Sequence, residues 1–238
     1  MPPITNLRGA ALYGPGVPTV IQRLMGAALI GLLPMQGAPA AGAAEASVVS
    51  LPFEAGQAIR IVQGYNGGTH LGASVYGLDL VLDDGETSGA PVLAPFDGKI
   101  TWAFAPGEKT GCLEVLAQDG GFAAMLCHVL LDRPFSRGEK VSRGQPLGVV
   151  GAPGMVGNNG LAHVHMELHA GGRDSDIVPF SATEGGLALD GWDLPATGAS
   201  NEHASDGPIV SSNAGPASAS VSEALSQARS RANGQSDP

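Results

Sequence analysis

Charge is scarce in this chain. Asp, Glu, Lys and Arg make up 14% of its 238 residues, with 12 basic against 22 acidic side chains and a formal net charge of −10. A nucleic-acid-binding surface needs a basic face, so that class of partner is excluded. Aromatic residues are also few, at 5%. The most apolar run, Leu24–Met35, has twelve residues, whereas a membrane-spanning helix needs about 20. A His-Glu-x-x-His motif is missing, which removes the zinc peptidases whose base is the Glu of that helix. No segment recurs at a solenoid period, so stacked repeats are excluded too.

Cysteine is limited to Cys112 and Cys127. They flank Gln118-Asp119-Gly120-Gly121, a hairpin signal. A two-residue loop at Asp119-Gly120 sets the two cysteines opposite each other, where an oxidising compartment would allow a disulfide. A register shift of one residue would instead leave two separate buried thiols.

What the chain has in quantity is glycine and proline, 36 and 18 residues. Short strands joined by many turns suit that mix better than long helices. Residues 1–44 read as a secretory signal: Arg8 and Arg23 precede an apolar core of the right length, and small-residue cleavage sites follow at Ala38-Pro39-Ala40 and Ala41-Gly42-Ala43. An uncleaved anchor is the alternative. Export to the cell envelope or beyond is the expectation, with no stable membrane span after cleavage.

Residues 45–195 alternate strand and turn, as in Ala58–Gln63, Gly77–Leu82, Gly98–Phe104, Pro146–Val150 and His163–His169. The expected fold class is therefore mainly β: an antiparallel sandwich or barrel-like sheet with short strands and long loops. Residues 196–238 shift to Ser, Ala, Gly and Asn, a composition that predicts a disordered tail.

Within the strand-rich region, Ala162-His163-Val164-His165-Met166-Glu167-Leu168 stands out. On a strand, His163 and His165 project to one side about 7 Å apart, and Val164, Met166 and Leu168 point into a core. Asp79 sits in an otherwise apolar strand, where a carboxylate is costly unless paired or bound to a cation. Two His and one Asp suit zinc with an open fourth position. Spacing alone leaves a solvated polar strand face open as the alternative.

Four ordered segments resemble the zinc peptidases of the M23 type, the lysostaphin-like cell-wall endopeptidases. They are Thr69-His70 through Gly77-Leu78-Asp79-Leu80; Gly89-Ala90-Pro91-Val92-Leu93-Ala94 with Asp97-Gly98; Leu126-Cys127-His128-Val129 followed by Gly138–Gly148; and His163-Val164-His165-Met166-Glu167. The resemblance implies that His70, Asp79 and His165 bind Zn2+ and that His128 and His163 are the catalytic histidines. It implies an exported zinc metalloendopeptidase acting on bacterial peptidoglycan peptides, expected as a monomer. Departures from the family pattern fall at Leu126, at Ala162 and in the wide His70–Asp79 spacing. A non-catalytic wall-binding module of the same fold would usually lack some of these site residues. A cupin-type metal oxidoreductase would place its His pair early, whereas here the pair comes last.

Some neighbouring residues are open on sequence alone. Glu167 shares the face of the His pair, either hydrogen-bonded behind it or solvated. His169 and His203 are expected at the surface, and Trp102, Phe104 and Tyr76 in core or groove wall. The Gly151–Gly160 loop either borders a substrate groove or is a flexible connection.

Overall fold

The computed structural model describes residues 49–104, 111–172 and 174–214. The expected leader, residues 1–44, and residues 215–238 lie outside the described residues. In chain order the strands are β1 (Ala58–Gln63), β2 (Leu78–Leu82), β3 (Pro91–Leu93), β4 (Gly98–Ala103), β5 (Leu113–Ala117) and β6 (Ala123–Cys127). They continue with β7 (Val129–Leu131), β8 (Lys140–Val141), β9 (Pro146–Val150), β10 (Val164–His169), β11 (Ile177–Val178) and β12 (Ile209–Val210). Among the described residues helix is limited to two single 3-10 turns, Gly72–Ser74 and Ala182–Glu184.

A large antiparallel sheet runs in the order β12-β1-β2-β10-β6-β5-β4-β8, with β11 on the free half of β10, and a smaller one runs β3-β9-β7. The large sheet ends in two edges, β12 and β8, so it is open and not closed into a barrel. Residues of both sheets share one buried cluster, including Ile61, Leu80, Leu113, Leu126, Val164 and Met166 from the large sheet and Val92, Val129 and Leu147 from the small one. Alternation explains the division. Leu78 and Leu80 of β2 and Val164, Met166 and Leu168 of β10 are fully buried, leaving Asp79, His165, Glu167 and His169 to the other face.

The β5–β6 hairpin pairs Leu113 with Leu126 and Leu116 with Ala123, the register of an Asp119-Gly120 loop. Cys112 and Cys127 accordingly form a disulfide at the base of that hairpin.

The tail expectation needs correction. Residues 196–214 belong to the folded domain, whose limit lies beyond Pro195. Tyr65 and Glu202 exchange two backbone hydrogen bonds, Tyr65 N–H to Glu202 O at 3.0 Å and Glu202 N–H to Tyr65 O at 2.9 Å. Ile209 enters the core beside Ile59 through β12. The fully buried Asn213 amide donates to the carbonyls of Leu51 at 2.9 Å and Ala94 at 3.1 Å. Composition misleads here because backbone and amide hydrogen bonds dock this segment with only one large apolar anchor.

Asn213→Ala should lower unfolding free energy by about 1–3 kcal/mol, since it removes the donor to the Leu51 carbonyl and one of the two donors to the Ala94 carbonyl, which keeps Gly144 N–H. Truncation after Pro195 should cost more, because it also uncovers Ile59 and Tyr65. Urea unfolding of the three proteins checks both; a truncated chain as stable as the intact one would rule out this docking.

Candidate metal centre and active site

The site grows from strand register. On the polar face His165 of β10 lies directly opposite Asp79 of β2 on one side and Cys127 of β6 on the other. His128 follows Cys127 and interrupts what would be one continuous strand, with φ at 66°. His163 immediately precedes β10. His70 comes from the loop before β2, folded back by the 3-10 turn at Gly72–Ser74. The wide His70–Asp79 spacing is thus taken up by a turn, and all five sequence-predicted residues converge.

Three of them form a tight triangle. His70 Nε2 lies 3.1 Å from Asp79 Oδ1 and 3.0 Å from His165 Nδ1. His165 Nδ1 lies 2.9 Å from Asp79 Oδ1. His70 and Asp79 are buried, and His165 is partly so. Backbone and carboxylate partners orient both rings. The Nδ1 of His70 donates to Gly64 O at 2.9 Å, so its Nε2 carries the lone pair. The Nε2 of His165 donates to Glu167 Oε1 at 2.8 Å, so its Nδ1 lone pair faces the triangle. Each imidazole is thereby fixed in the tautomer that a metal requires.

Electrostatics agree. Burial pushes the Asp79 carboxyl up, but the His165 and His70 imidazoles against it, with His163 nearby, outweigh burial and hold the group well below the usual carboxylate range. Burial pushes His165 down, yet its bonds to Asp79 and Glu167 hold it up at about 9. Burial likewise opposes ionisation of Glu167, and His165 and His169 hold it down at about 2. The triangle therefore calls for positive charge. A small divalent ion binding nitrogen and oxygen at about 2.0–2.2 Å fits sides of this size, and the N2O donor set suits zinc better than Ca2+ or Mg2+.

Beside the triangle lie the other two imidazoles. The rings of His128 and His163 are 4.5 Å apart between centroids, and His128 is 6.2 Å from His165. His163 Nε2 comes within 3.5 Å of Asp79 Oδ1. The Nδ1 of His128 donates to Val156 O at 2.9 Å and that of His163 to Leu161 O at 2.8 Å. Both rings thus have Nε2 left for chemistry. Burial, together with the charges of His163 and His165, lowers the His128 pKa, which favours a neutral imidazole.

Several neighbours gain roles that the sequence left open. Glu167 is buried, spans His165 and His169, and also accepts from the Ser74 side chain of the His70 loop. His169, expected at the surface, is 6% exposed and is held between Glu167 Oε2 and Ser175 O. His203, also expected at the surface, packs its ring on Tyr65 at 5.1 Å and bonds Asp206. The Gly151–Gly160 loop carries the Val156 carbonyl that aims His128. Sequence offers no signal for that contact, because any residue supplies a carbonyl.

With this geometry in place, the comparison with known proteins is direct. Residues 74–177 match the model of Peptidase family M23. This segment belongs to that family. The M23 segment contains Asp79, His128, His163 and His165; His70 lies just before it. Among solved structures the chain is similar to pseudoalterin, an M23 metalloprotease from the deep sea, at 20% identity over 65% of this chain and 84% of that one, with a TM-score of 0.46. It is similar to the catalytic domain of the prophage-encoded M23 protein EnpA of Enterococcus faecalis at 25% identity, over 51% of this chain and 88% of that one, with a TM-score of 0.38. Lysostaphin from Staphylococcus simulans matches through its catalytic domain at 22% identity, over 52% of this chain and 89% of that one, with a TM-score of 0.37. No curated protein matches the chain at a significant level. No helix among the described residues is long and apolar enough to cross a membrane.

Glu167→Ala removes the acceptor that fixes the His165 tautomer. Zinc affinity should fall by about 10–100-fold, read by competition with a coloured chelator. Unchanged affinity would show that the His165 ring is oriented without Glu167.

Proposed function

We propose that this protein is an exported zinc endopeptidase that hydrolyses peptide bonds in bacterial peptidoglycan. The observation that carries the reading is the convergence of His70, Asp79 and His165 on one triangle with the Nε2 atoms of His128 and His163 beside it. Membership of the M23 family supports peptide-bond hydrolysis. The choice of cell-wall peptides and of an exported location rests on the sequence resemblance to cell-wall endopeptidases and on the signal-like residues 1–44.

His70 Nε2, Asp79 Oδ1 and His165 Nδ1 would hold the ion. Zinc supplies Lewis acidity there, polarising a carbonyl and making water a stronger acid. The protein's own part is proton transfer and charge stabilisation. His128 and His163 each commit Nδ1 to a backbone carbonyl, so either ring, when neutral, accepts a proton only at Nε2. One of them takes the proton of the attacking water and passes it to the departing amine. The other, carrying at Nε2 a proton taken up from solvent before the reaction and kept through it, donates a hydrogen bond to the oxyanion that develops on the scissile carbonyl. Their 4.5 Å ring separation lets both reach one reacting centre. Leu71, next to His70, and Leu161, two residues before His163, are both exposed and give the approach an apolar rim suited to a peptide.

A non-catalytic wall-binding module is the competing reading, and the complete set of five site residues argues against it. Purified protein should bind about one zinc per chain and release new amines and peptide fragments from peptidoglycan, detected by mass spectrometry, with chelator abolishing release. Zinc binding without any release would establish the non-catalytic module instead. His163→Ala should keep zinc while losing roughly 10²–10⁴-fold in rate; His165→Ala should lose both. Equal metal retention in the two variants would refute this division of roles.

A further inference from the structure

The polar face of the large sheet continues past the metal triangle into a second recess. Glu114 of β5 pairs with Met125 of β6, and Met125 pairs with Glu167 of β10, so the three lie in one row on one face. By strand spacing Glu114 is about 10 Å from Glu167, and about 12 Å from His165, which lies two residues along β10. Glu114 forms the buried end of a cavity of about 310 Å³ also lined by Thr101, Trp102, Arg137, Gly172, Asp174 and Ser175.

Glu114 is only 1% exposed. Its Oε1 accepts a hydrogen bond from the Thr101 hydroxyl. Its Oε2 is buried and has no hydrogen-bond partner among the described residues. A buried carboxylate oxygen without a donor is costly, so the position is kept for something that supplies one. Asp174 adds a second carboxylate at the exposed mouth, and Arg137 one guanidinium, for a formal charge of one negative unit among the described lining residues. Trp102, meeting Phe104 edge to face at 4.9 Å between ring centroids, contributes an aromatic wall, which also favours a cation. A divalent metal would ask for more oxygen ligands than Glu114 and Asp174 provide; an ammonium group needs only a few acceptors.

Access also fits. A Cβ added at Gly172 would stand 3.8 Å from Glu114 Oε1, in ordinary contact. Glycine there leaves open the approach that any larger side chain would fill. An extended peptide advances about 3.3 Å per residue, so a chain reacting at the triangle would reach this recess three to four residues from its scissile bond.

We propose that this recess is a substrate-recognition subsite for the ammonium group of a lysine-like side chain, received by Glu114. The proposal rests on the peptidase reading in placing that side chain on a peptide substrate. The zinc-loaded full-length protein should therefore bind Nα-acetyl-lysine amide, followed by perturbation of the Thr101 and Gly172 amide resonances, and not Nα-acetyl-norleucine amide. Glu114→Gln should weaken the lysine probe by roughly 10–100-fold. Gly172→Leu should block it with Glu114 intact, which decides the matter if the Gln variant folds poorly. In turnover of a peptide pair differing only in lysine and norleucine, both variants should raise KM for the lysine peptide while leaving kcat near the parent value. Equal binding of the two probes, or a lysine preference that survives in both variants, would overturn the subsite. If neither peptide is cut, the peptidase reading fails, while the probe titration still decides the subsite.

Discussion

Three electron-rich atoms held within 3.1 Å of one another are the constraint on which the polar face of this protein depends. An ionised carboxylate and two imidazole lone pairs do not share so small a space unless positive charge lies among them. The raised affinity of His165 for a proton expresses this: without an ion, a proton takes the place that a metal would occupy. Neither imidazole can escape by turning over, because its other nitrogen is committed, to Gly64 O in one case and to Glu167 in the other. Gly64 is itself fixed. A Cβ there would sit 1.6 Å from Glu202 O, so glycine allows the 201–204 segment to press against the backbone that aims His70.

The same constraint organises the neighbouring carboxylates. Asp79, Glu167 and Glu114 are all buried on one face of the large sheet, and each buried charge needs compensation. Asp79 obtains it from His70 and His165, and Glu167 from His165 and His169. Glu114 is bonded at one oxygen, by Thr101, and His169 lies within reach of its charge. Side-chain hydrogen bonding to these carboxylates thins along the row away from the triangle, toward the cavity that Glu114 lines.

How much of this was legible beforehand divides along physical lines. The five residues that converge on the polar face were readable because side-chain type and order carry them, and the β5–β6 register was readable because turn chemistry fixes it. The Asp79–His165 pairing followed the alternation of β2 and β10. What escaped was structure made by backbone groups. The docking of residues 196–214 depends on the Tyr65–Glu202 exchange and on Asn213 bonding two carbonyls, none of which leaves an apolar pattern. His169 was misplaced for a related reason: at a strand end, burial is decided by what packs across it, here the Ser175 turn.

His128 is held by means independent of the metal triangle. It adopts a left-handed backbone with φ at 66°, and Val156, whose carbonyl it bonds, does the same at 41°. For a β-branched residue that conformation is a genuine outlier, and such strain costs about 1–3 kcal/mol per residue unless the surroundings impose it. They do so here from both sides. The His128 carbonyl accepts the Gly151 N–H at 3.0 Å, and Val129 donates to Gly111 O at 2.9 Å. The disulfide ties the residue before His128 to the residue after Gly111. Any Cβ at Gly151 or Gly111 would collide with Val156, at 2.1 and 2.9 Å, so both glycines admit the strained loop. None of these contacts involves His70, Asp79 or His165. The His70–Asp79–His165 triangle and the His128 imidazole are therefore aimed by different hydrogen bonds, and their supports meet at the backbone where Cys127 pairs with His165.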